Sequence, residues 1–161
     1  MKAIVRDSNL GDALKMSTNL RKADYEELRA GHGNSVDPAF ILKEGIETSD
    51  TPKTVEYNNE PIAIFGVVNS TVDNPNMGWV WLLGTDKIKE IKIQFLRESK
   101  EHLAQQEKKY DILANYVDAR NEVHIKWLRW LGFNFIRKIE NFGVENRPFY
   151  EFARINTCVT Q

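Results

Sequence analysis

The sequence is poor in cysteine, since Cys158 is the only one among 161 residues. A single cysteine cannot form an intrachain disulfide, and its use here is compatible with a reducing cytoplasm. The fold must therefore be stabilised by a hydrophobic core, and a chain of this length is large enough to bury one in a single domain. Apolar residues at 42% and charged residues at 28% are typical of a soluble globular protein.

An excess of charge and a long hydrophobic run are also missing. The formal net charge is -1, which gives no electrostatic basis for binding nucleic acid or an anionic membrane. No apolar run approaches the roughly 20 residues that span a bilayer, and the N-terminus lacks the apolar region of a signal peptide. We therefore expect no membrane segment and no nucleic-acid partner.

Several familiar site motifs are absent as well. The spacing typical of metal ligands is not found among the three histidines, His32, His102 and His124, nor between them and the single cysteine. The sequence contains neither a Walker phosphate loop nor a Gly-x-Ser-x-Gly elbow. The four tryptophans could stack on bases, but lysines alternate with glutamates between them, which is typical of a solvated helix face. We expect no metal.

The pattern of apolar residues and turn signals predicts a mixture of strands and helices. The first half of the chain is predicted to contain a strand at 3–5, helical spacing from Asp12 to about Ala30, a helix from Asp37-Pro38 to about Gly45 and a polar connection at 46–53. Strands at 54–57 and 62–68 follow, joined by an Asn58-Asn59 turn, and then a loop at 69–78. The second half is predicted to contain a strand at 79–83, a helix at 87–108, a strand at 111–117, a helix that ends at Gly132, and strands at 134–142 and 149–155.

This order predicts one domain over residues 1–161 of α/β (α+β) class. Its sheet is expected to be mixed, mainly antiparallel, with six to seven strands and with helices on both faces. The strands at 79–83 and 111–117 flank the long helix, so we expect them to be parallel neighbours joined by that crossover.

Residues 110–133 carry the most informative pattern. An almost continuous apolar run predicts a strand covered on both faces. A polar turn follows, in which Asp118 or Asn121 would cap the next helix, and Gly132 would end that helix in a left-handed conformation.

Two resemblances lie in this stretch. NEVHIKWLRWLGF resembles the late segment of the GNAT superfamily of acyl-CoA N-acyltransferases, because Asn121, Gly132 and Phe133 match at the family's spacing. Leu128 stands where the family carries a tyrosine. KYDILANYVDARNEVHIKWLRWLG, residues 109–132, also resembles a small internal virion protein of T-seven-like short-tailed phages.

The resemblances imply two functions that stay open at this point. In the GNAT fold the strands on either side of the long helix splay apart, and the pantetheine arm of the cofactor lies between them. This resemblance implies acetyl-CoA or CoA as cofactor and acetyl transfer to an amine. The phage resemblance implies a catalytically silent internal virion or virion-assembly protein, with a phage or host protein as partner, in the host cytoplasm and the virion.

The junction before the long helix supplies the candidate cofactor-binding residues. The family carries Gln/Arg-x-x-Gly-x-Gly/Ala there, whereas this chain has LLGTDKIKEI with one glycine. Asp86 would repel phosphates at the helix start, and a capped helix with solvated lysines is the plain alternative. The candidates are Leu83, Gly84, Thr85, Lys87, Lys89 and Asn121. Asn121 could bond the cofactor arm, cap the helix, or do both.

Three residues are weak candidates for catalysis. Leu128 cannot donate a proton, so Tyr116 is the candidate acid, or else a half-buried aromatic with a bonded hydroxyl. His124 is a candidate base, or else a packed core residue. Glu56 on the hairpin, like Glu60 near it, could accept a proton from an amine. Trp79 and Trp81 lie on the strand that should open, and we expect their side chains to fill the gap.

Overall fold

The computed structural model describes residues 2–70 and 76–156, so Cys158 and the middle of the predicted loop at 69–78 lie outside the described residues. The strands are β1 Ile4–Asp7, β2 Ser49–Tyr57, β3 Glu60–Asn69, β4 Met77–Gly84, β5 Ile112–Asp118, β6 Asn134–Phe142 and β7 Arg147–Ile155. The helices are α1 Leu10–Met16, α2 Lys22–His32, α3 Pro38–Thr48, α4 Lys92–Glu107 and α5 Glu122–Trp130, and a 3-10 helix, Asp86–Ile91, precedes α4.

All seven strands form one sheet in the order β1-β2-β3-β4-β5-β7-β6. The β4–β5 pair is parallel, and the other neighbouring pairs are antiparallel. Helices α1, α2 and α3 share a core with Ile64 and Leu83, while α5 packs against the strands β5 and β7 through Leu128 and Phe152. The predicted mixed, mainly antiparallel α/β fold is therefore confirmed.

The first helical region divides into α1 and α2. Asn9 caps α1 by accepting from the backbone N–H of Asp12, and the Asp12 carboxylate accepts in return from the N–H of Asn9. Asn9 is therefore the cap, and Asp12 is the third helical residue of a capping box. Its buried carboxylate also pairs with Arg6 at 2.8 Å, so it ties α1 to β1.

The predicted polar connection at 46–53 is wrong. The helix α3 starts at Asp37-Pro38 as predicted but continues to Thr48, and β2 begins at Ser49. Ser49 and Asp50 pair with Val68 and Val67 of β3, although the register shifts between Asp50 and Lys53. Polar residues form this strand because the ladder bonds are made by the backbone, and the irregular register removes the alternation that would have revealed it.

The structure confirms the predicted hairpin turn and the predicted crossover helix. Asn58 and Asn59 both have positive φ, 53° and 63°, as a type I′ hairpin turn requires. The predicted helix at 87–108 begins as the 3-10 helix, with Thr85 accepting from the N–H of Lys87, and becomes α-helical at Lys92. The crossover therefore joins β4 to β5 as expected.

The strands β4 and β5 are parallel and then separate, which confirms the expected arrangement. They pair only from Met77 to Trp79, opposite Ile112 to Ala114. Just beyond, the Asn115 side-chain amide donates to the Val80 carbonyl at 2.7 Å. We call the gap that opens from there towards Gly84 and Asp118 the seam.

Candidate functional site

The mouth of the seam is bridged by one carboxylate from α2. Asp24 accepts a hydrogen bond from the backbone N–H of Gly84 at 3.0 Å and from the Asn121 side-chain amide at 3.1 Å. Gly84 ends β4, and Asn121 follows β5 and caps α5. Asp24 is fully buried. A side chain of the protein itself therefore joins the diverging ends of the two strands.

Arg21 compensates the charge of this carboxylate. Its guanidinium donates to Asp24 from Nη2 at 2.7 Å and from Nε at 3.1 Å, in a bidentate pair. Arg21 is only 9% exposed, and its backbone N–H donates to the Gly84 carbonyl at 2.9 Å. The carboxylate thus receives four hydrogen bonds, so its burial is fully compensated.

Asn121 has both ends of its side chain engaged. The Oδ1 atom accepts from the backbone N–H of His124 at 3.4 Å, while Nδ2 donates to Asp24. Of the two predicted roles, the cap is present in the structure. The amide nitrogen, which the resemblance would assign to the cofactor arm, donates instead to the Asp24 carboxylate of α2.

Glu27, one turn further along α2, bonds the end of β5. Its Oε1 accepts from the backbone N–H of Asp118 at 2.8 Å. Burial raises the pKa of Glu27 to about 8; this N–H opposes the rise, and the Asp24 and Asp118 carboxylates add to it. Asp118 itself is buried and paired with Arg120 at 2.8 Å. Glu27 therefore keeps its proton to a higher pH than an exposed glutamate does.

His124 lies at the floor of the seam, in the first turn of α5. It is buried, its ring centroid lies 5.3 Å from that of Trp127, and its Nδ1 has no hydrogen-bond partner among residues 2–70 and 76–156. Burial lowers the pKa of His124 to about 4, an effect that the Asp24 charge opposes. The imidazole is therefore neutral at physiological pH, which a base requires, and the His124 side chain is largely buried.

A groove of about 450 Å³ opens from the seam between α2, α3 and the strands. Tyr116 lies in it with its ring stacked between Trp79, at 6.3 Å, and Phe142, at 4.9 Å. Glu27 and His124 also line this groove. Glu56 does not, because it pairs with Arg6 at 2.8 Å on the β1–β2 side of the sheet. The structure thus brings Tyr116 and His124 to one groove and places Glu56 elsewhere.

The junction after β4 has its backbone donors engaged. The N–H of Gly84 donates to Asp24, that of Thr85 to the Ile62 carbonyl at 2.8 Å, and those of Lys87 and Ile88 to Thr85, each at 3.3 Å. A phosphate cradle depends on free N–H groups at such a helix start. Four of the N–H groups between residues 84 and 88 are already bonded within the protein.

The charged side chains of the junction are paired with neighbours. The Lys87 ammonium pairs with Glu60, and Lys89 pairs with Asp86 at 3.3 Å. The single glycine has a packing explanation, since a Cβ added to Gly84 would overlap the side chain of Ile88. Leu83 is buried in the α1–α3 core. As arranged, these residues do not fit the pyrophosphate of CoA.

The side chains that bridge the mouth of the seam do not include Trp79 or Trp81, although the Trp79 ring does reach from β4 to Tyr116 of β5. Trp81 faces α3, where its indole N–H donates to Ser49 Oγ at 2.7 Å. Trp79 stacks on Tyr116 near the paired end of the strands. The residues that bridge the mouth, Asp24 and Arg21, were missed because charged residues on a helix normally indicate a solvated face. No local signal pairs a residue of α2 with the end of β4, 60 positions later.

Within residues 2–70 and 76–156 there is no group of three or more His, Cys, Asp or Glu residues placed to hold a metal ion. Over the same ranges no helix is both long enough and apolar enough to cross a membrane.

Comparison with known proteins supports both resemblances noted above. Residues 60–139 match the family described as "Bacteriophage T7, probable scaffold protein Gp13". This region runs from β3 to β6 and includes both strands of the seam. No curated protein matches the chain in sequence.

Solved structures of acetyltransferases share the whole fold. AAC(6')-Ib, solved in complex with ribostamycin and coenzyme A, is 12% identical with a TM-score of 0.71, covering 100% of this chain and 97% of that one. The acetyltransferase yncA from Salmonella typhimurium, solved with its cofactor acetyl-CoA, is 11% identical with a TM-score of 0.70, covering 96% and 94%. An N-acetyltransferase from Staphylococcus aureus Mu50 is 15% identical with a TM-score of 0.70, covering 98% and 100%. The chain therefore has the GNAT fold, and at this identity the likeness extends to the fold alone.

Proposed function

We propose that this chain is a phage assembly protein that acts through protein contacts and no longer uses the cofactor site of its fold. The observation that carries the proposal is the position of Asp24, whose carboxylate bonds Gly84 and Asn121 across the mouth of the seam. Those two groups lie where the GNAT resemblance puts the cofactor. The match to a phage scaffold family supplies the alternative role.

CoA could occupy the seam only by displacing the carboxylate that bridges its mouth. For a pyrophosphate to bind at Gly84, the Asp24 carboxylate must leave a site where it pairs with the buried Arg21. Breaking a buried ion pair by removing one partner costs about 3–5 kcal/mol. Because each 1.4 kcal/mol is a tenfold change, this cost raises the dissociation constant by a factor of about 10² to 10³ or more. A carboxylate that stays in place would instead repel the phosphates.

The experiment is complementation of a phage that lacks the gene. The double variant Tyr116→Phe, Lys89→Ala removes a candidate acid and a candidate phosphate contact, yet leaves the closed seam intact. We expect it to restore particle yield as fully as the wild type does, because neither group is needed for protein contacts. Mass spectrometry of purified particles and assembly intermediates should find the chain in at least one of them.

Two outcomes would contradict the proposal. One is a loss of particle yield with the double variant while circular dichroism shows that the variant is folded. The other is the absence of the chain from both particles and assembly intermediates.

Acetyl transfer from acetyl-CoA to an amine is the second candidate function. It is supported by the separation of β4 and β5 and by the groove that holds Tyr116, His124 and Glu27. It requires α2 to move away from the seam. Incubation with radiolabelled acetyl-CoA and polyamines or basic peptides tests it, since transfer of label to any of them would favour this function.

A further inference from the structure

A cavity of about 80 Å³ lies beneath α4, between the sheet and the two helices α4 and α5. Its walls are mostly apolar side chains, among them Val55 and Phe65 of the sheet and Leu103 of α4. Phe65 alternates along β3 with Ile64, which packs with α1, α2 and α3. The cavity therefore lies on the other face of the sheet from those three helices.

Two buried polar atoms that line this cavity have no hydrogen-bond partner. They are Gln106 Oε1 and His124 Nδ1, and residues 2–70 and 76–156 hold no other buried side-chain N or O atom of this kind. A buried polar atom without a partner is costly, so native proteins almost always provide one. Because both atoms line the same cavity, a molecule bound inside it would provide the missing partners.

Gln106 lies at the end of the cavity away from the mouth of the seam. His124 is near the start of α4, because Trp127, one turn after it, stacks on Phe95 at 5.8 Å. Gln106 follows Phe95 by 11 residues, or about 16 Å at 1.5 Å per residue. The carboxamide of Gln106 is therefore distant from the position that the fold gives to a cofactor arm.

The inward face of α4 is polar where it covers the cavity. Phe95, Ser99, His102 and Gln106 follow the i, i+4, i+7, i+11 spacing of one helical face, and all four line the cavity. Ser99 donates to the Phe95 carbonyl at 2.6 Å, and the His102 ring meets that of Phe65 edge-on at 5.2 Å. A helix that only packed on the sheet would be apolar along this face. Such departures from the packing rule are expected where a protein has a functional site.

The backbone is strained at the rim of the cavity. Thr51 lines it with a φ of 48°, a left-handed conformation that is rare for a β-branched residue. The register of β2 shifts at this point, between Asp50 and Lys53. Lys109, one turn after Gln106, pairs with Asp50 at 3.2 Å, so the strained segment lies beside the Gln106 end of α4. Strain of this kind is typical of positions that hold a ligand.

We propose that the cavity beneath α4 binds a small neutral molecule that is mainly apolar and carries one hydroxyl or N–H group. That group would donate to Gln106 Oε1, and the apolar part would lie among Val55, Phe65 and Leu103. In another protein an apolar cavity of about 150 Å³ binds benzene, which has six carbons. A cavity of about 80 Å³ therefore suits a molecule of about three to four non-hydrogen atoms.

The charges around the cavity favour a neutral ligand. No lysine or arginine is among the residues that line it in the described part of the chain, so a buried anion would have no counter-charge. Burial lowers the pKa of both His102 and His124, so these imidazoles are neutral at pH 7. Glu98 is the one acidic residue of the lining, and it is half-buried and accepts from Gln94. A cation would thus lose its hydration in exchange for a single carboxylate that stays partly in water.

NMR titration of the methyl-labelled full chain with propan-2-ol and with acetone tests the proposal. The two probes have the same size and nearly the same shape, but only propan-2-ol can donate a hydrogen bond. A ligand of four non-hydrogen atoms binds no more tightly than about 40 μM, a range that suits such a titration. We expect saturable shifts of the methyl groups of Val55, Val67 and Leu103, and none for Leu42 and Ile64 of the α1–α3 core. Acetone should bind about two- to tenfold more weakly, because it cannot donate to Gln106.

Substitutions on α4 separate the hydrogen bond from the space. Gln106→Leu should weaken the binding of propan-2-ol about two- to tenfold and remove the preference for it over acetone. Gln105→Leu, the same substitution at the exposed neighbouring residue, should leave both affinities unchanged. Leu103→Phe adds volume to the wall and should abolish the saturable shifts, and Gln106→Leu remains decisive if this larger side chain impairs folding.

Several results would overturn the proposal. The absence of a saturable shift with propan-2-ol would mean that the cavity takes water alone. Equal affinities for the two probes, or an unchanged preference in Gln106→Leu, would exclude the hydrogen bond to Gln106. Equal shifts in the α1–α3 core would indicate a general solvent effect. The titration contains no CoA and requires no partner protein, so its outcome is independent of the closed seam and of the assembly role.

Discussion

Replacement of Asp24 by alanine perturbs the contact on which the closed seam depends. In the wild type this carboxylate accepts from Gly84 N, from Asn121 Nδ2 and from two atoms of Arg21. The alanine variant leaves a buried guanidinium unpaired and two neutral donors unbonded. We expect a loss of about 3–5 kcal/mol in the free energy of unfolding, the range for breaking a buried ion pair.

Asparagine at this position separates charge from shape. The Asp24→Asn variant keeps one oxygen acceptor but places an amide donor among groups that are themselves donors. Losing hydrogen bonds to a charged group costs about 1.5–3 kcal/mol, so this variant should lie between the wild type and the alanine variant. Urea denaturation at pH 7 measures all three, and the slope against urea shows whether the unfolding remains two-state.

Two comparisons keep the result interpretable. Glu47→Ala, an exposed substitution on α3, should change stability by no more than about 0.5 kcal/mol. In a double-mutant cycle, Arg21→Met with Asp24→Ala should cost less than the sum of the single changes, because the two residues form one pair. The reasoning would be refuted by a loss below about 1 kcal/mol for Asp24→Ala, or by losses in the single variants that add up to the loss in the double variant. Removal of a buried carboxylate with all its hydrogen bonds made must lower the free energy of unfolding by more than that.

Three further predictions concern the same region. Burial raises the pKa of Glu27 to about 8 from 4.5, so its contribution to stability is present at low pH and is lost as the pH rises from 4.5 through 8. Glu27→Gln should remove that loss. Denaturation at pH 5 and pH 9 should therefore show that the stability of the variant increases relative to that of the wild type at the higher pH. Burial lowers the pKa of His124 to about 4 from 6.5, so its contribution to stability is lost as the pH falls from 6.5 towards 4. His124→Phe, which retains a ring against Trp127, should flatten that part of a curve of stability against pH. An unchanged curve would contradict the lowered pKa of His124. A Cβ at Gly84 would overlap the terminal methyl group of Ile88, which can rotate away, so Gly84→Ala should cost no more than about 1 kcal/mol in thermal or urea unfolding, the low end for overpacking. A larger loss would contradict this freedom of the Ile88 side chain.

The fold was predictable from the sequence where local signals agree with the tertiary structure. The continuous apolar run before Asp118, the asparagine cap at Asn121 and the left-handed Gly132, with φ of 86°, all lie in one segment and reinforce one another. They identified β5, α5 and the parallel neighbour β4. The strand β2 was missed at its start because its pairing uses backbone groups and carries no apolar alternation.

The closed seam was not predictable in the same way. Asp24 and Asn121 are 97 positions apart, and Asp24 and Gly84 are 60 apart. A charged residue on an amphipathic helix normally faces solvent, so nothing near Asp24 indicates that it is buried. Asn121 was identified correctly as a cap, whereas its predicted contact with a cofactor stays a prediction. The sequence could not reveal that its amide is already bonded to Asp24.

The most direct test of the central claim is a titration of the purified protein with CoA, followed by thermal unfolding. An acetyltransferase of this fold that binds CoA serves as the positive control. A ligand present at 100 times its dissociation constant stabilises the folded state by about 2.7 kcal/mol, which is a readily measured shift in Tm. With Asp24 in place at the seam, we predict no shift at about 1 mM CoA, a concentration at the upper end of the range of about 1 μM to 1 mM in which enzyme KM values lie. A saturable rise in Tm with CoA would contradict the closed seam and the assembly role built on it.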